Sequence, residues 1–338
     1  MKTILFFKPS DSSFIRQDEV FLKKRYSLYS FTFPASSLLN NLRSLFKQWK
    51  FLSNNIKKSD LIYIWFADYH ALLPLLFGGF YKKKSVLIIG GYDAAKLKEF
   101  NYGGHINPVR SWIIKQCCNL ATKILPVSSF VLKNLVQNIG MAHPFKTKIV
   151  YNGADTLDYC FDYSVEKKGV ICISGASDIK RIKIKGLDFF AKLASGFPEK
   201  PFTIVGVSGK AKEYLMNLKI PNLVLIEWIN KAELKGLLNQ AEIICQFSRY
   251  ESFGLALAEG MLCGCIPITV RNIGPEEIVA NDVGIVIEKL DLNKGKEAIK
   301  RAFKMPWDIR NRARFRVINQ FSLKAREDNI LKTLKELE

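Results

Sequence analysis

Short apolar runs alternate with longer amphipathic segments along the whole chain. Apolar runs with little internal alternation are typical of parallel strands that are buried on both faces. In the first half, strands are predicted at residues 3–7, 27–31, 61–65, 85–89, 123–126 and 148–151, with helices near 12–24, 37–56, 69–80, 107–121 and 128–138. This order predicts a parallel sheet covered by helices on both faces.

The second half repeats this pattern. Strands are predicted at residues 169–174, 202–205, 223–226, 243–246 and 266–269, with helices near 186–196, 209–217, 231–239, 254–263, 275–280 and 292–304. We therefore predict an α/β fold of two Rossmann-like, doubly wound domains, at residues 1–160 and 161–320. Residues 321–338 are predicted to form a C-terminal helix that packs back on the first domain. Strands of both sheets that end at one cleft would create a ligand site there.

Composition identifies a globular protein. Hydrophobic residues make up 48% of the 338 residues and charged residues 24%, which is ordinary for a folded domain. The seven cysteines form no regular framework, so reduced thiols in a cytoplasmic protein are expected. Cys263 and Cys265 lack a second pair of ligands and are interpreted as small core residues, so no metal site is predicted.

Residues 61–80 are apolar but contain Asp68, His70 and Pro74, which favours a buried strand and helix over a membrane span.

The net charge of +20 is uneven. Residues 1–160 carry 22 Lys and Arg against 9 Asp and Glu. Such a field attracts nucleotide phosphates, nucleic acid or acidic lipid headgroups, and charge alone does not choose among them. No recognisable module interleaves aromatic and basic residues as RNA-binding proteins do, so no nucleic-acid partner is expected.

The most informative segment, residues 248–259, follows a predicted strand and opens a helix. Its letters are SRYESFGLALAE. Gly254 allows the backbone to approach a ligand closely, and the N–H groups at the helix start can bind an anion. Glu251 and Glu259 can accept hydrogen bonds from hydroxyl groups. On these grounds alone, two surface glutamates on a capped helix would explain the segment about equally well.

Glu251 and Glu259, with seven residues between them that include Phe253-Gly254, resemble the E-x7-E motif of GT4-type glycosyltransferases. The similarity extends over most of residues 84–290 and implies the GT-B fold. It implies that Glu259 binds the ribose of a nucleotide-sugar donor and that Glu251 contacts the transferred sugar. The backbone at Phe253, Gly254 and Leu255 would then face the diphosphate or sugar. Residues 202–209, with Gly206 and Ser208, resemble the strand and turn beside the nucleotide.

The cations that neutralise the leaving diphosphate depart from the family pattern. Lys185, just before Gly186, matches the family lysine, but Ala176 or Ser177 stands where the family has an arginine. We expect Arg181 or Lys180 to take over from a longer loop, and Arg181 is favoured. The alternative is a solvated basic loop and a weakened activity.

The family histidine near the transferred sugar is also missing. Here the turn reads Gly90-Gly91-Tyr92-Asp93, with glycine at the histidine position. Asp93 is expected either to orient the sugar or acceptor or only to cap the next segment. Asp68 and His70 are acceptor-side candidates, and a capping aspartate beside a packed histidine explains them about as well.

The resemblance implies transfer of a sugar from a nucleotide diphosphate sugar to a hydroxyl acceptor with retained anomeric configuration. Cell-surface glycan or glycolipid synthesis is the expected setting. The nucleotide sugar is a co-substrate, and neither a cofactor nor a metal is expected, because cations and helix dipoles would stabilise the leaving group. The alternatives are a catalytically weakened GT-B protein that binds membrane or nucleic acid, and a nucleotide-sugar epimerase.

Residues 37–58 have a basic amphipathic pattern. Leucines, Phe46 and Trp49 alternate with Arg43, Lys47 and Lys50, as expected for a helix lying on an anionic membrane. A core-facing helix with solvated lysines is the competing interpretation. A peripheral position on the inner face of the membrane would suit a lipid-linked acceptor.

Overall fold

The computed structural model describes residues 1–33, 38–140, 143–280 and 282–337, without the side chains of residues 38–41. It divides the chain into two compact domains. Domain 1 contains Met1–Tyr151 and Arg326–Glu338, and domain 2 contains Asn152–Ala325. The chain therefore leaves domain 1 after Tyr151 and re-enters it at Arg326, whereas the sequence predicts the boundaries at residues 160 and 320.

Domain 1 is built on a five-stranded parallel sheet with the order β2-β1-β3-β4-β5. Its strands are almost wholly buried, except for β2 at one edge. Its elements are β1 (Thr3–Lys8), α1 (Ser13–Lys23), β2 (Ser27–Thr32), α2 (Leu38–Asn55), β3 (Leu61–Trp65), α3 (Tyr69–Phe80), β4 (Lys84–Ile89), α4 (Pro108–Leu120), β5 (Lys123–Pro126) and α5 (Ser129–Ile139).

Domain 2 carries a six-stranded parallel sheet with the order β11-β10-β9-β6-β7-β8. Its elements are β6 (Val170–Ala176), α6 (Ile179–Lys185), α7 (Leu187–Ala194), β7 (Phe202–Val207), α8 (Gly209–Met216), β8 (Leu223–Ile226), α9 (Lys231–Gln240), β9 (Ile243–Gln246), α10 (Leu255–Leu262), β10 (Ile266–Val270), β11 (Ile285–Ile287), α11 (Leu292–Phe303) and α12 (Asp308–Gln320). Helix α13 (Leu323–Lys335) begins in domain 2 and continues in domain 1.

Three parts of the sequence-based assignment are wrong. Residues 148–151 form no regular strand: the N–H groups of Lys148 and Val150 donate to β5, but the carbonyls of Val150 and Tyr151 accept from Arg326. Residues 275–280 contain only a short 3-10 turn, at Gly274–Glu277. The basic loop expected before Gly186 is helix α6, whose first turn is capped by Asp178.

The predicted strand and helix within residues 61–80 are confirmed as β3 and α3. Among the described residues, no helix combines the length and apolarity that crossing a bilayer requires. Helix α12 and strand β11 are absent from the sequence-based prediction.

A buried ion pair joins the last helix of the chain to the first helix within domain 1. Arg326 donates from Nε and Nη2 to the two oxygens of Asp18 on α1, both at 2.7 Å. Asp18 also accepts from the Tyr63 hydroxyl and the Trp65 indole N–H. Both members of the pair are buried, so these hydrogen bonds must replace the water that each charge loses. The pair fixes the end of the chain against the first helix.

We expect Arg326→Met to destabilise domain 1 by about 3–5 kcal/mol, because it leaves the Asp18 carboxylate buried without its counter-ion. Urea unfolding followed by circular dichroism measures the change. The double variant Asp18→Asn/Arg326→Met should recover part of the loss, since no charge is then left unpaired. Equal stability of the single variant and the parent would contradict this account.

Candidate active site

The carboxyl end of β9 carries the loop that leads into α10. Gly254, at the helix start, has a φ of +101° that side-chain-bearing residues rarely adopt. A Cβ there would lie 2.8 Å from both the Gln246 side-chain oxygen and Pro275. Glycine is therefore required for the loop to lie against the strand end and the Pro275 turn.

A second close approach brings α6 to the same strand end. Gly186 ends α6 with a φ of +65°, and a Cβ at this position would lie 1.9 Å from the carbonyl oxygen of Phe247. No other residue fits this geometry without moving the backbone. Lys185, the last residue of α6, is thereby held beside the loop after β9.

Lys185 and Glu251 form an ion pair. The Lys185 Nζ atom lies 2.7 Å from Oε2 of Glu251. The same oxygen accepts from the Gln246 side-chain amide at 3.0 Å, and Oε1 accepts from the Ser252 backbone N–H. Both members of the pair are half-buried. The carboxylate is thus held in one orientation by a cation and two further donors.

Arg249 and Asp188 hold the elements that carry Lys185 and Glu251 together. The Arg249 side chain donates to the carbonyl of Lys183 and to Asp188, and its backbone N–H donates to Ile184 at 2.7 Å. Asp188 also pairs with Lys183 at 2.8 Å. These contacts join α6 and α7 to the loop after β9.

Arg181 lies one helical turn before Lys185 on α6. Side chains four residues apart share a helix face, so Arg181 and Lys185 project from the same side. Arg181 is exposed. A helix, and not a flexible loop, therefore sets the spacing of the two cations.

Glu259 belongs to a separate ionisable cluster in domain 2. Its carboxyl group interacts with the Tyr159 hydroxyl, with Lys231 on α9 and with Asp155. Lys231 also pairs with Asp158 and lies 3.7 Å from Asp155. Burial raises the pKa of Glu259 from its ordinary 4.5 to about 7, and the nearby Lys231 opposes the rise. The Glu259 carboxyl group would therefore gain or lose its charge close to neutral pH.

The other residues predicted to bind the donor differ in how far they are buried. Phe253 is buried and its ring packs on Phe321 at 5.8 Å, whereas Leu255 is half-buried. Gly206 has a φ of +101°, and a Cβ there would lie 3.2 Å from Gly175 and Ser174 at the end of β6. Ser208 is exposed, and its backbone N–H donates to Ala176. The ends of β6 and β7 therefore lie directly beside each other.

In domain 1, Asp93 has no exposed surface to offer a ligand. Its buried carboxylate accepts from the backbone N–H groups of Ala67 at 2.9 Å and Gly91 at 2.7 Å. Burial raises its pKa to about 7, and the backbone hydrogen bonds counteract part of that rise. Asp93 therefore ties together the loops that follow β3 and β4, through N–H groups that precede it in the chain.

The Phe66 ring explains the glycine at the position of the family histidine. A Cβ on Gly90 would lie 2.2 Å from that ring. Phe66 itself has a φ of +68°, an uncommon value for a residue with a bulky side chain. An aromatic ring therefore fills the space that a side chain at position 90 would need.

Asp68 and His70 have different surroundings. His70 is buried, its Nε2 lies 2.8 Å from the Trp65 carbonyl, and burial lowers its pKa. Asp68 is half-buried, caps α3 through the Tyr69 N–H and pairs with Arg110 on α4 at 3.0 Å. The structure thus makes His70 a packed residue and leaves Asp68 beside solvent.

No cluster of three or more His, Cys, Asp or Glu side chains suited to a metal occurs in the part of the chain that the structure describes. The Cys265 thiol donates to the Leu238 carbonyl at 3.1 Å. Cys263 and Cys265 are both buried.

Residues 165–319 match the family model described as glycosyl transferases group 1. The match covers just under half of the chain and lies within domain 2. The matched residues cover α6, β9 and α10, the elements that carry Lys185, Glu251 and Glu259. The family match and the ion pair thus concern the same part of domain 2.

Two curated relatives and one solved structure extend this comparison. An uncharacterized glycosyltransferase of Methanocaldococcus jannaschii is 28% identical over 230 residues, which cover 63% of this chain and 57% of that protein. An uncharacterized 41.2 kDa protein from the cps region of Klebsiella pneumoniae is 25% identical over 160 residues, or 44% of this chain and 43% of that one. The matches thus span less than two thirds of either relative.

The Anabaena protein HepE, solved in complex with UDP-glucose, superposes with a TM-score of 0.76 at 17% identity. The superposition covers 99% of this chain and 100% of HepE. At that identity the likeness concerns the fold alone. The predicted fold class, two parallel-sheet α/β domains of the GT-B type, is confirmed.

Sequence reasoning missed several residues of this candidate site. Gln246 gives a signal in retrospect, because it is a polar residue at the end of an otherwise apolar, fully buried strand. Tyr159 and Lys231 give none, since they reach Glu259 from distant parts of the sequence. Arg249 lies within the motif segment, but its role depends on contacts with α6 and α7.

Glu259→Gln should raise the stability of the protein above pH 7 and leave it unchanged at pH 4. A carboxyl group with a raised folded-state pKa destabilises the fold as pH rises from about 4.5 to about 7, because ionisation then costs more in the folded state. Its removal should gain about 1–3 kcal/mol at pH 8.

Thermal unfolding of parent and variant between pH 4 and pH 8 measures this difference. Glu297→Gln, on the exposed surface of α11, is the matched control and should show no such pH dependence. A gain of stability at pH 4 equal to that at pH 8 would be inconsistent with the predicted titration.

Proposed function

We propose that the chain is a retaining, GT4-type glycosyltransferase that moves a sugar from a nucleotide diphosphate sugar to a hydroxyl acceptor. The ion pair of Lys185 with Glu251 is the observation that carries the proposal. It joins the two residues to which the sequence resemblance gives catalytic roles, although 66 positions separate them.

The donor is proposed to lie at the carboxyl ends of β6, β7 and β9 in domain 2. Glu259 would accept hydrogen bonds from the ribose hydroxyls, and Glu251 from hydroxyls of the transferred sugar. Backbone N–H groups at the start of α10 would face the diphosphate or sugar. Gly206 and Ser208 would line the nucleotide, and the HepE structure with UDP-glucose supports this ligand class.

The reaction would break the bond between the anomeric carbon and the diphosphate oxygen. The acceptor hydroxyl oxygen would form the new bond on the same face of the sugar, and its proton would pass to the departing phosphate oxygen. Lys185 and Arg181 would neutralise the charge that develops on the diphosphate, the task that fixed cations perform most effectively in a water-poor site. This chemistry calls for no cofactor, and we propose none.

The proposal predicts that substitution of Glu259 weakens nucleotide binding, whereas substitution of Glu251 lowers turnover of the sugar. UDP, GDP or ADP at 100 times its Kd should stabilise the parent by about 2.7 kcal/mol. Glu259→Gln should weaken this stabilisation, because Glu259 would bind the ribose. Glu251→Gln should retain it and instead lose turnover of the sugar, by about 10²–10³ if the contact is made in the transition state.

Differential scanning fluorimetry with the three nucleotides, and hydrolysis of a panel of nucleotide sugars, provide the two measurements. Glu297→Gln serves again as the control for removal of a carboxylate. Absence of stabilisation by every nucleotide, or variants of both glutamates that match the parent, would refute the proposed function.

We further propose that domain 1 binds the surface of an anionic membrane through α2 and α3. Along residues 42–49 of α2 the usual burial is reversed: Ser44 and Gln48 are buried, whereas Phe46 and Trp49 are 66% and 48% exposed. Leu42 is exposed on the same face, and the rings of Phe46 and Trp49 stack. A helix that only covered a core would bury these residues.

Basic residues surround this apolar face. Arg43, Lys47 and Lys50 are exposed along α2, and the Gln48 amide joins α2 to the His70 carbonyl on α3. Leu76 and Phe80, one turn apart on α3, are also exposed. Apolar side chains that enter the headgroup region and cations that bind acidic lipids form the combination found in interfacial helices. The side chains of Leu38 and Leu39, and Ser37 itself, lie outside the described residues.

The double variant Phe46→Ser/Trp49→Ser should bind anionic vesicles at least tenfold more weakly than the parent, a loss of roughly 1.4 kcal/mol. Sedimentation with phosphatidylcholine vesicles, with and without phosphatidylglycerol, measures the binding. Trp228→Ser, 88% exposed in domain 2, is the control for loss of a surface aromatic. Equal sedimentation with neutral and anionic vesicles would exclude the charge-dependent surface that we propose.

A further inference from the structure

A cluster of planar polar side chains lies where β3 and β4 of domain 1 end. Arg110, in the first turn of α4, donates from Nε to Asp68 and from Nη1 to the Tyr92 hydroxyl, both at 3.0 Å. Its guanidinium group lies over the rings of Tyr69 at 5.2 Å and Tyr92 at 5.5 Å. All four side chains are exposed or half-buried, so solvent reaches their edges.

The backbone beneath this cluster is fixed at a local cost. Asp93 is a buried carboxylate that holds the loops bearing Asp68 and Tyr92 through the N–H groups of Ala67 and Gly91. Phe66, two residues before Asp68, has a left-handed φ of +68°. A residue in such a conformation costs about 1–3 kcal/mol, and residues of this kind concentrate at functional sites. A buried carboxyl group and a strained residue thus hold the backbone of one exposed cluster.

The chemistry of the cluster favours a neutral, hydroxyl-rich ligand. The Asp68 carboxylate balances the Arg110 charge, so the pair does not select anions as isolated lysines would. Carboxylate, guanidinium and phenol groups together accept and donate hydrogen bonds to neighbouring hydroxyls. The tyrosine rings, which Arg110 contacts and of which Tyr92 also packs edge-on with Tyr102, add apolar surface for the C–H side of a sugar ring.

From this geometry we infer that Asp68, Tyr69, Tyr92 and Arg110 form an acceptor subsite that binds a neutral pyranose. The inference rests on the proposed function, since it names the class of acceptor. It assigns the acceptor side to Arg110 and two tyrosines and excludes His70, whose ring is buried against the Trp65 carbonyl.

Saturation-transfer NMR on the full chain tests the subsite with the methyl α-pyranosides of glucose, galactose and mannose. We expect at least one glycoside to bind the parent, and Tyr92→Ala and Arg110→Met to weaken that binding about tenfold or more, roughly 1.4 kcal/mol. Trp112→Ala is the matched control, because Trp112 is exposed on the same helix outside the cluster. Its binding should equal that of the parent.

Tyr92→Phe keeps the ring and removes only the hydroxyl, so it decides the matter if circular dichroism shows that Arg110→Met is misfolded. Weaker glycoside binding by Tyr92→Phe and Tyr92→Ala supports the subsite. The inference is overturned if no glycoside binds the parent, or if the folded variants bind as well as the parent. Nucleotide stabilisation, measured in parallel, should be equal in all variants, and its absence from the parent would refute the proposed function separately.

Discussion

The buried pair of Asp18 and Arg326 is the constraint on which the organisation of the chain depends. Arg326 is the residue at which the chain returns to domain 1. It also donates to the carbonyls of Val150 and Tyr151, where the chain leaves that domain. One guanidinium group thus holds the exit and the return together. Within domain 2, the Ala154 N–H donates to the Phe321 carbonyl, and the Ala154 carbonyl accepts from the Leu323 N–H. Domain 2 is therefore a compact insertion whose first and last segments are hydrogen-bonded to each other.

Close backbone approaches organise the candidate site in domain 2. Gly186 fits against the Phe247 carbonyl, and Gly254 fits against Gln246 and Pro275. These contacts bring the last residue of α6 to the loop before α10, which lets Lys185 reach Glu251. The chemistry of the site therefore depends on two positions at which no side chain can be accommodated.

Domain 1 contributes rigid loops and an unusual surface. Its buried Asp93 orders the loops after β3 and β4, while the Phe66 ring fills the space beside Gly90. Helix α2 buries polar side chains and exposes Phe46 and Trp49. The ordered loops would suit the proposed sugar acceptor, and the exposed aromatic residues would suit the proposed membrane surface. Together they would allow the acceptor to be bound at the lipid surface.

The sequence by itself determined the two parallel sheets, most element positions and the segment that carries Glu251 and Glu259. These are local properties, since hydrophobic periodicity and motif spacing lie within a few residues of each other. Helix α6 was missed although its caps, Asp178 and Gly186, are local signals. The sequence could not determine which cation faces Glu251 or that Phe46 and Trp49 on α2 are exposed. It also gave no sign of Arg110 between its two tyrosines or of Tyr159 beside Glu259. Only the tertiary structure decided these points, because each depends on groups far apart in the chain that meet once the sheets are packed.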